Sequence, residues 1–157
     1  MSDAAVQIRE AHAADRALLV AFASAMARET EGKELDPAVL GPGVAALLAD
    51  PLKGRTFVLE EDGTAVATLM LTTEWSDWRN GWFWWIQSVY VTPQSRGRGH
   101  YRRLHEHVRT LAAAQPDVYG LRLYVERENK GAQATYRALG MHETHYLLYE
   151  QATRSGK

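Results

Sequence analysis

The sequence contains no cysteine among its 157 residues. This absence excludes disulfide bonds, thiolate metal sites and any cysteine acyl-enzyme. No apolar run is long enough to span a bilayer. The first residues are charged early and lack the apolar core of a signal peptide. We therefore expect a cytoplasmic protein without membrane attachment.

An excess of positive charge is also missing. Eighteen Lys and Arg residues face nineteen Asp and Glu residues, which gives a formal net charge of -1. Dedicated nucleic-acid binders usually carry a domain-wide basic excess, because phosphate contacts dominate their affinity. We therefore expect no nucleic-acid partner. With 46% hydrophobic residues, the chain is typical of one globular domain, which we predict to cover residues 1–157.

Hydrophobic periodicity predicts a mixed order of strands and helices. A tight turn at Asp62-Gly63 joins two strands of a hairpin. The further strands are predicted at 4–9, 82–91, 117–127 and 142–150, and the helices at 15–29, 35–50, 97–115 and 129–140. This order is typical of an α/β (α+β) fold, in which helices flank a mixed central sheet.

The stretch RGRGHYRR at 96–103 lies between a predicted strand and a predicted helix. A helix start carries unpaired N–H groups and a positive dipole end, and glycines let an anion approach the backbone. The Gly-Lys-Ser/Thr ending of a P-loop is absent, and Arg102 stands where a dinucleotide motif needs its third glycine. On spacing alone, a phosphate site and a plain helix-capping turn remain equally open.

Two segments stand out, VYVTPQSRGRGHYRRL at 89–104 and LRLYVERENKGAQATYRALGM at 121–141. Together they resemble the GCN5-related N-acetyltransferase (GNAT) superfamily. Arg96 and Gly99 match the signature Gln/Arg-x-x-Gly-x-Gly/Ala, and Asn129 and Tyr136 match its downstream part. Tyr101 departs from the pattern, because it stands where a small residue is usual. Its helical phase with Leu104 and Val108 predicts that the ring points into the core, away from the anion.

The resemblance implies a mostly antiparallel sheet and acetyl-CoA as co-substrate. It places the pyrophosphate on the amides of 97–102 and the thioester carbonyl on the backbone of 89–91. The cofactor-binding residues that it implies are Val89, Tyr90, Val91, Arg96, Gly97, Arg98, Gly99, His100, Tyr101, Arg102, Asn129, Ala132 and Tyr136.

The resemblance also implies direct acetyl transfer from CoA to an amine. Tyr136 is the expected general acid for the leaving thiolate, since a phenol with a pKa near 10 can protonate it. Glu74 is the first choice of general base, although an ordinary strand-end carboxylate explains it equally well. Glu29, Glu31, Trp75 and Asp77 are the expected acceptor-binding residues.

Other aromatic and histidine residues have simpler explanations. Strand alternation sends Trp84 and Trp85 to opposite faces, so they cannot form one stacking platform. On a helix, His105 and His107 diverge too far to share a metal ion, so we expect no metal and predict exposed or capping histidines.

The predicted function is acetyl-CoA-dependent N-acetylation of a primary amine on a small molecule or peptide. The alternative is a catalytically inactive acyl-CoA-binding regulatory module, which the retained Asn129 and Tyr136 disfavour. Dimers are frequent in the family, so a homodimer is expected.

Overall fold

The computed structural model describes residues 3–154. The chain forms two compact units, Met1–Tyr124 and Val125–Lys157, and each is described by itself.

A five-stranded sheet forms the frame of the first unit, with the strands in chain order β1-β2-β3-β4-β5. Strands β1 to β4 pair antiparallel, and β5 joins β4 in parallel. The sheet is therefore mixed and mostly antiparallel, as expected. Its strands are β1 Val6–Glu10, β2 Arg55–Glu61, β3 Thr64–Ser76, β4 Gly81–Val91 and β5 Val118–Arg122.

The predicted hairpin turn is confirmed at Asp62 and Gly63, whose φ angles of 49° and 80° suit a tight two-residue turn. Three α-helices of the described residues accompany the sheet in this unit: α1 Arg16–Glu31, α2 Pro37–Ala49 and α3 His100–Ala113. Pro42 lies inside α2. The helix nevertheless continues through the Gly-Pro-Gly segment at 41–43.

The two faces of the sheet pack against different helices. Leu104 and Val108 of α3 are fully buried against one face, on which Trp84 and Ile86 of β4 also lie. On the other face, α1 and α2 pack over β2, β3 and β4 and line a cavity together with them. Trp84 is 8% exposed within the α3-side core, whereas Trp85 bonds Glu74 on the opposite face. The predicted separation of the two tryptophans is confirmed.

The second unit contains helix α4, Lys130–Ala138. Asn129 begins it as predicted, since its Oδ1 accepts a hydrogen bond from the Ala132 amide at 3.1 Å. Gly140 follows with a φ of 92°, the left-handed conformation typical of a helix end. Residues 142–150 have no strand partner within this unit taken by itself, so the strand predicted there is not found in it.

A partly buried ion pair connects β1 to the start of α1. The Arg9 guanidinium donates to both carboxylate oxygens of Asp15, at 2.8 and 2.9 Å. It also donates to Glu60 at 2.9 Å, while Asp15 accepts the His12 amide. Asp15 is 6% exposed, and the Arg9 bonds lower its pKa to about 2.

No helix of residues 3–154 is both long and apolar enough to cross a membrane.

Asp15→Asn should lower the free energy of unfolding at pH 7 by about 2 kcal/mol, since one pKa unit corresponds to about 1.4 kcal/mol. The pKa of Asp15 falls from an ordinary 3.8 to about 2 on folding. Its contribution is therefore complete above pH 3.8 and disappears as the pH falls through about 2. Urea unfolding of both proteins between pH 2 and 7 measures this, and a difference independent of pH would contradict it.

Candidate active site

Strand β4 carries a bulge at Gln87. Met70 of β3 pairs with Ser88, and the next residue, Leu71, pairs with Ile86, so Gln87 is the extra residue. An extra residue reverses the alternation of side chains along a strand. Ser88 and Tyr90 therefore face α1 and α2, while Val89 packs with the core beneath α3.

Strand β5 stops pairing with β4 just before the bulge. β4 pairs with β3 as far as Val91, but it pairs with β5 only from Trp82 to Trp85. Residues 86–91 therefore have a single strand neighbour within the first unit. The other edge of this segment carries backbone groups that an extended ligand can pair with.

The chain after β4 turns through two glycines into α3. Gly97 and Gly99 have φ angles of 77° and 79°, which favour glycine, and Gly99 caps the helix. The first backbone bond of α3 runs from Arg103 N to Gly99 O. The amides of 100–102 precede it and form the electropositive start of the helix.

Arg96 connects the loop to strand β4 and helix α1. Its Nε donates to the Val91 carbonyl at 2.9 Å, and its Nη2 donates to Glu29 of α1 at 2.6 Å. The Tyr90 hydroxyl donates to the same carboxylate at 3.3 Å. Burial and the Glu29 charge raise the pKa of Tyr90. Glu29, predicted to bind the acceptor, thus lies against the predicted cofactor loop.

Glu61 at the end of β2 holds the loop from the other side. It accepts a 2.9 Å bond from Arg98 and a short hydrogen bond from His100, which is 3% exposed. Arg103 donates to the Arg98 carbonyl at 2.7 Å. Two of the four loop arginines, Arg96 and Arg98, are therefore paired with carboxylates, whereas Arg102 and Arg103 have no acidic partner within residues 3–154.

Tyr101 packs against the core, as its helical phase predicts. Its hydroxyl and Nδ1 of His105 lie 3.2 Å apart. The prediction of an exposed or capping histidine is wrong for His105, which is 2% exposed. Burial lowers its pKa, which keeps the ring neutral beside the phenol. Hydrophobic periodicity does not identify this core position, because histidine is a polar residue.

The downstream motif lies in the second unit. Asn129 and Ala132 share the capping hydrogen bond of α4. Tyr136 lies two turns along the same helix, and burial raises the pKa of its phenol. The phenol is therefore protonated at neutral pH and can donate its proton.

Glu74 is committed to structural contacts on the α1 and α2 face. One carboxylate oxygen accepts bonds from Trp85 Nε1 and Arg122 Nη1, each at 2.9 Å. The Trp85 bond and then the Arg122 bond lower the pKa of Glu74. A carboxylate held in its charged form by two donors is a weak base.

The predicted acceptor residues do not lie together. Trp75 pairs with Trp82 near the start of β4, and Asp77 follows in the adjoining turn. Glu29 reaches Tyr90 near the end of the same strand, and Glu31 lies half a turn further along α1. At about 3.3 Å per residue, the eight residue steps from Trp82 to Tyr90 span about 26 Å.

The bulged residue itself carries a polar side chain, which was not predicted as a site residue. Gln87 accepts a bond from the Thr72 hydroxyl at 3.1 Å and donates to the Tyr124 hydroxyl at 3.4 Å. No sequence pattern identifies the bulged residue of a strand, because the register of β3 decides it. No cluster of three or more metal-ligating side chains occurs within the described part of the chain.

The chain is similar to proteins of known family and structure. The model of the acetyltransferase (GNAT) family matches residues 19–141. A crystal structure described as a possible acetyltransferase from Clostridium difficile 630 is 45% identical, with a TM-score of 0.90, and covers 95% of this chain and 98% of that one. A comparison with curated proteins gives no match.

Two more distant structures share the fold. A crystal structure described as a predicted acetyltransferase with acetyl-CoA from Clostridium acetobutylicum is 21% identical, with a TM-score of 0.76, and covers 94% of this chain and 96% of that one. An aminoglycoside N-acetyltransferase in complex with CoA is 14% identical, with a TM-score of 0.78 and coverage of 98% of each chain.

The chain belongs to the acetyltransferase (GNAT) family, whose N-acetyltransferases use acetyl-CoA.

Trp85→Phe should raise the pKa of Glu74 towards its ordinary 4.5, because the indole bond is the largest cause of the lowered value. An NMR titration of the side-chain carboxyl carbon measures the shift. Trp78→Phe is the control, since Trp78 is 90% exposed and the side chains that donate to Glu74 are those of Trp85 and Arg122. Equal pKa values of Glu74 in wild type and Trp85→Phe would contradict the assignment.

Proposed function

We propose that this protein transfers acetyl directly from acetyl-CoA to a primary amine of a small molecule or a peptide. The observation that carries the proposal is the glycine turn into α3, which follows a bulged strand that has lost one neighbour. The family match and the paired motifs around Gly99 and Tyr136 support it.

The loop residues fit the diphosphate part of CoA. The amides of 97–102 include the unpaired donors at the start of α3, which favour an anion. Arg102 and Arg103 add positive charge that no carboxylate neutralises within residues 3–154. Arg96 and Arg98 act mainly through Glu29 and Glu61, and we assign them the role of fixing the loop.

The bulged segment fits the extended arm of CoA and its thioester. When bound, acetyl-CoA supplies an activated acetyl group and a thiolate leaving group. The backbone of 89–91 in β4 would hold the arm through strand-like hydrogen bonds, and amides beside the bulge at Gln87 would stabilise charge on the carbonyl oxygen.

Tyr136 is the proposed general acid. In the family, the tyrosine at this position lies near the CoA sulfur. Burial raises the pKa of Tyr136, so the phenol holds its proton at neutral pH and can give it to the sulfur as the thioester breaks.

The acceptor surface that we propose centres on the bulge. Gln87, Thr72 and Tyr124 supply polar groups there, and Trp85 supplies an aromatic face. We assign Glu74 to holding Trp85 and Arg122 in place rather than to proton transfer, because its pKa is lowered. The residues Glu31, Trp75 and Asp77 remain acceptor predictions, and the homodimer remains a prediction.

The function is tested by release of free CoA from acetyl-CoA in the presence of an amine panel. The panel contains aminoglycosides, polyamines, amino acids and short peptides. Amine-dependent release supports the enzyme. Tight acetyl-CoA binding with no release for any amine would support the regulatory binding module instead.

Tyr136→Phe should reduce kcat about 100-fold, within the range typical of a lost general acid, and change the acetyl-CoA dissociation constant less than twofold. Tyr149→Phe, a tyrosine of the same unit outside the motif, should retain wild-type kcat. Wild-type turnover in the Tyr136→Phe variant would show that Tyr136 is not the general acid.

Glu29→Gln should weaken acetyl-CoA binding about threefold to fivefold, because the partly exposed carboxylate that fixes Arg96 is lost and such pairs contribute up to about 1 kcal/mol. Glu31→Gln is the matched control on the same helix end, and calorimetry measures both. Equal affinities for the two variants would show that Glu29 does not position the loop.

A further inference from the structure

The cavity between the sheet and helices α1 and α2 has no role in the function proposed above. Its floor includes Thr56 of β2, Met70 of β3 and Ser88 of β4, and its roof includes Phe22 and Ala23 of α1 and Val44 of α2. Thr56 pairs with Met70, and Met70 pairs with Ser88. These three residues therefore form one row of side chains across the floor, which begins at the residue after the bulge, and Thr68 and Tyr90 form a second row beside it.

One floor residue lacks a hydrogen-bond partner. Thr56 is 5% exposed, and among the described residues its hydroxyl bonds nothing. A buried hydroxyl without a partner is costly, and a valine of the same shape would avoid that cost. A hydroxyl in this position is satisfied when the cavity holds an occupant with a hydrogen-bonding atom.

The walls restrict the chemistry of that occupant. The cavity is lined mainly by apolar side chains and hydroxyl groups, and no charged residue of the described chain lines it. A charged ligand would lose its hydration without compensation there. The cavity measures about 80 Å³. Since a cavity of about 150 Å³ holds benzene, this volume accommodates about three carbon atoms.

We propose that the cavity binds the distal part of an acyl chain of four to five carbons that carries an uncharged oxygen near its end. The proposal rests on the proposed function, because the acyl carbonyl is placed beside Gln87 and the chain then enters at Ser88. Two strand spacings of about 4.8 Å separate Ser88 from Thr56, a length that a short acyl chain and one hydrogen bond span together. Thr56 contacts the oxygen near the end of the chain.

The test is calorimetric binding of five ligands to the full chain: CoA, acetyl-CoA, pentanoyl-CoA, 4-oxopentanoyl-CoA and succinyl-CoA. Pentanoyl-CoA should bind at least about tenfold more tightly than acetyl-CoA, because three further methylenes are added and part of that length is buried. The ketone should add about a further fivefold through Thr56. The charged succinyl chain should give no gain over acetyl-CoA.

Two variants locate the effect. Ala23→Leu fills the cavity and should make pentanoyl-CoA bind no better than acetyl-CoA, while the affinity for CoA stays unchanged. Ala21→Leu, on an exposed position of the same helix, is the matched control and should behave as wild type. Thr56→Val should abolish the preference for the ketone and retain the preference for pentanoyl-CoA over acetyl-CoA.

The outcomes separate this inference from the function. If acetyl-CoA binds but pentanoyl-CoA binds no better, the cavity holds only water and the inference is overturned while the proposed function stands. If pentanoyl-CoA binds better but the ketone has no effect, the role of Thr56 is overturned. If none of the five ligands binds, the proposed function itself fails.

Discussion

The extra residue in β4 is the constraint on which the proposed site depends. Gln87 shifts the side-chain alternation, so Ser88 and Tyr90 face α1 and α2 while Val89 returns to the core beneath α3. The same segment of β4 has no β5 partner beyond Trp85. The unpaired edge of β4 offers backbone groups to a ligand, and the bulge directs the following side chains towards one face of the sheet.

The proposed cofactor loop at 96–103 shows how a charged segment is fixed in one geometry. Glu29 from α1 and Glu61 from β2 hold Arg96 and Arg98 from opposite sides. Arg96 and Arg98 therefore stabilise the loop. The backbone amides, Arg102 and Arg103 can then bind an anion. Because Glu29 also accepts the Tyr90 hydroxyl, movement of α1 would be transmitted to both β4 and the loop.

Several site properties could be predicted from residue types and spacing. The glycine turn, the inward phase of Tyr101 and the Asn129 cap all follow from local rules, and the structure confirms these features. The position of the bulge, the burial of His105 and the commitment of Glu74 to Trp85 and Arg122 could not be predicted in this way. Each of them depends on a partner that is distant in the sequence.

The sequence by itself determined the family through its paired motifs. It also determined most of the element types and the backbone conformations that need glycine, because these depend on neighbours a few residues apart. Only the tertiary structure decided which arginines carry a carboxylate partner, that the two groups of acceptor candidates lie at opposite ends of β4, and that Thr56 faces a cavity. Strand register and helix packing place these groups, and both arise from contacts between segments that local patterns do not encode.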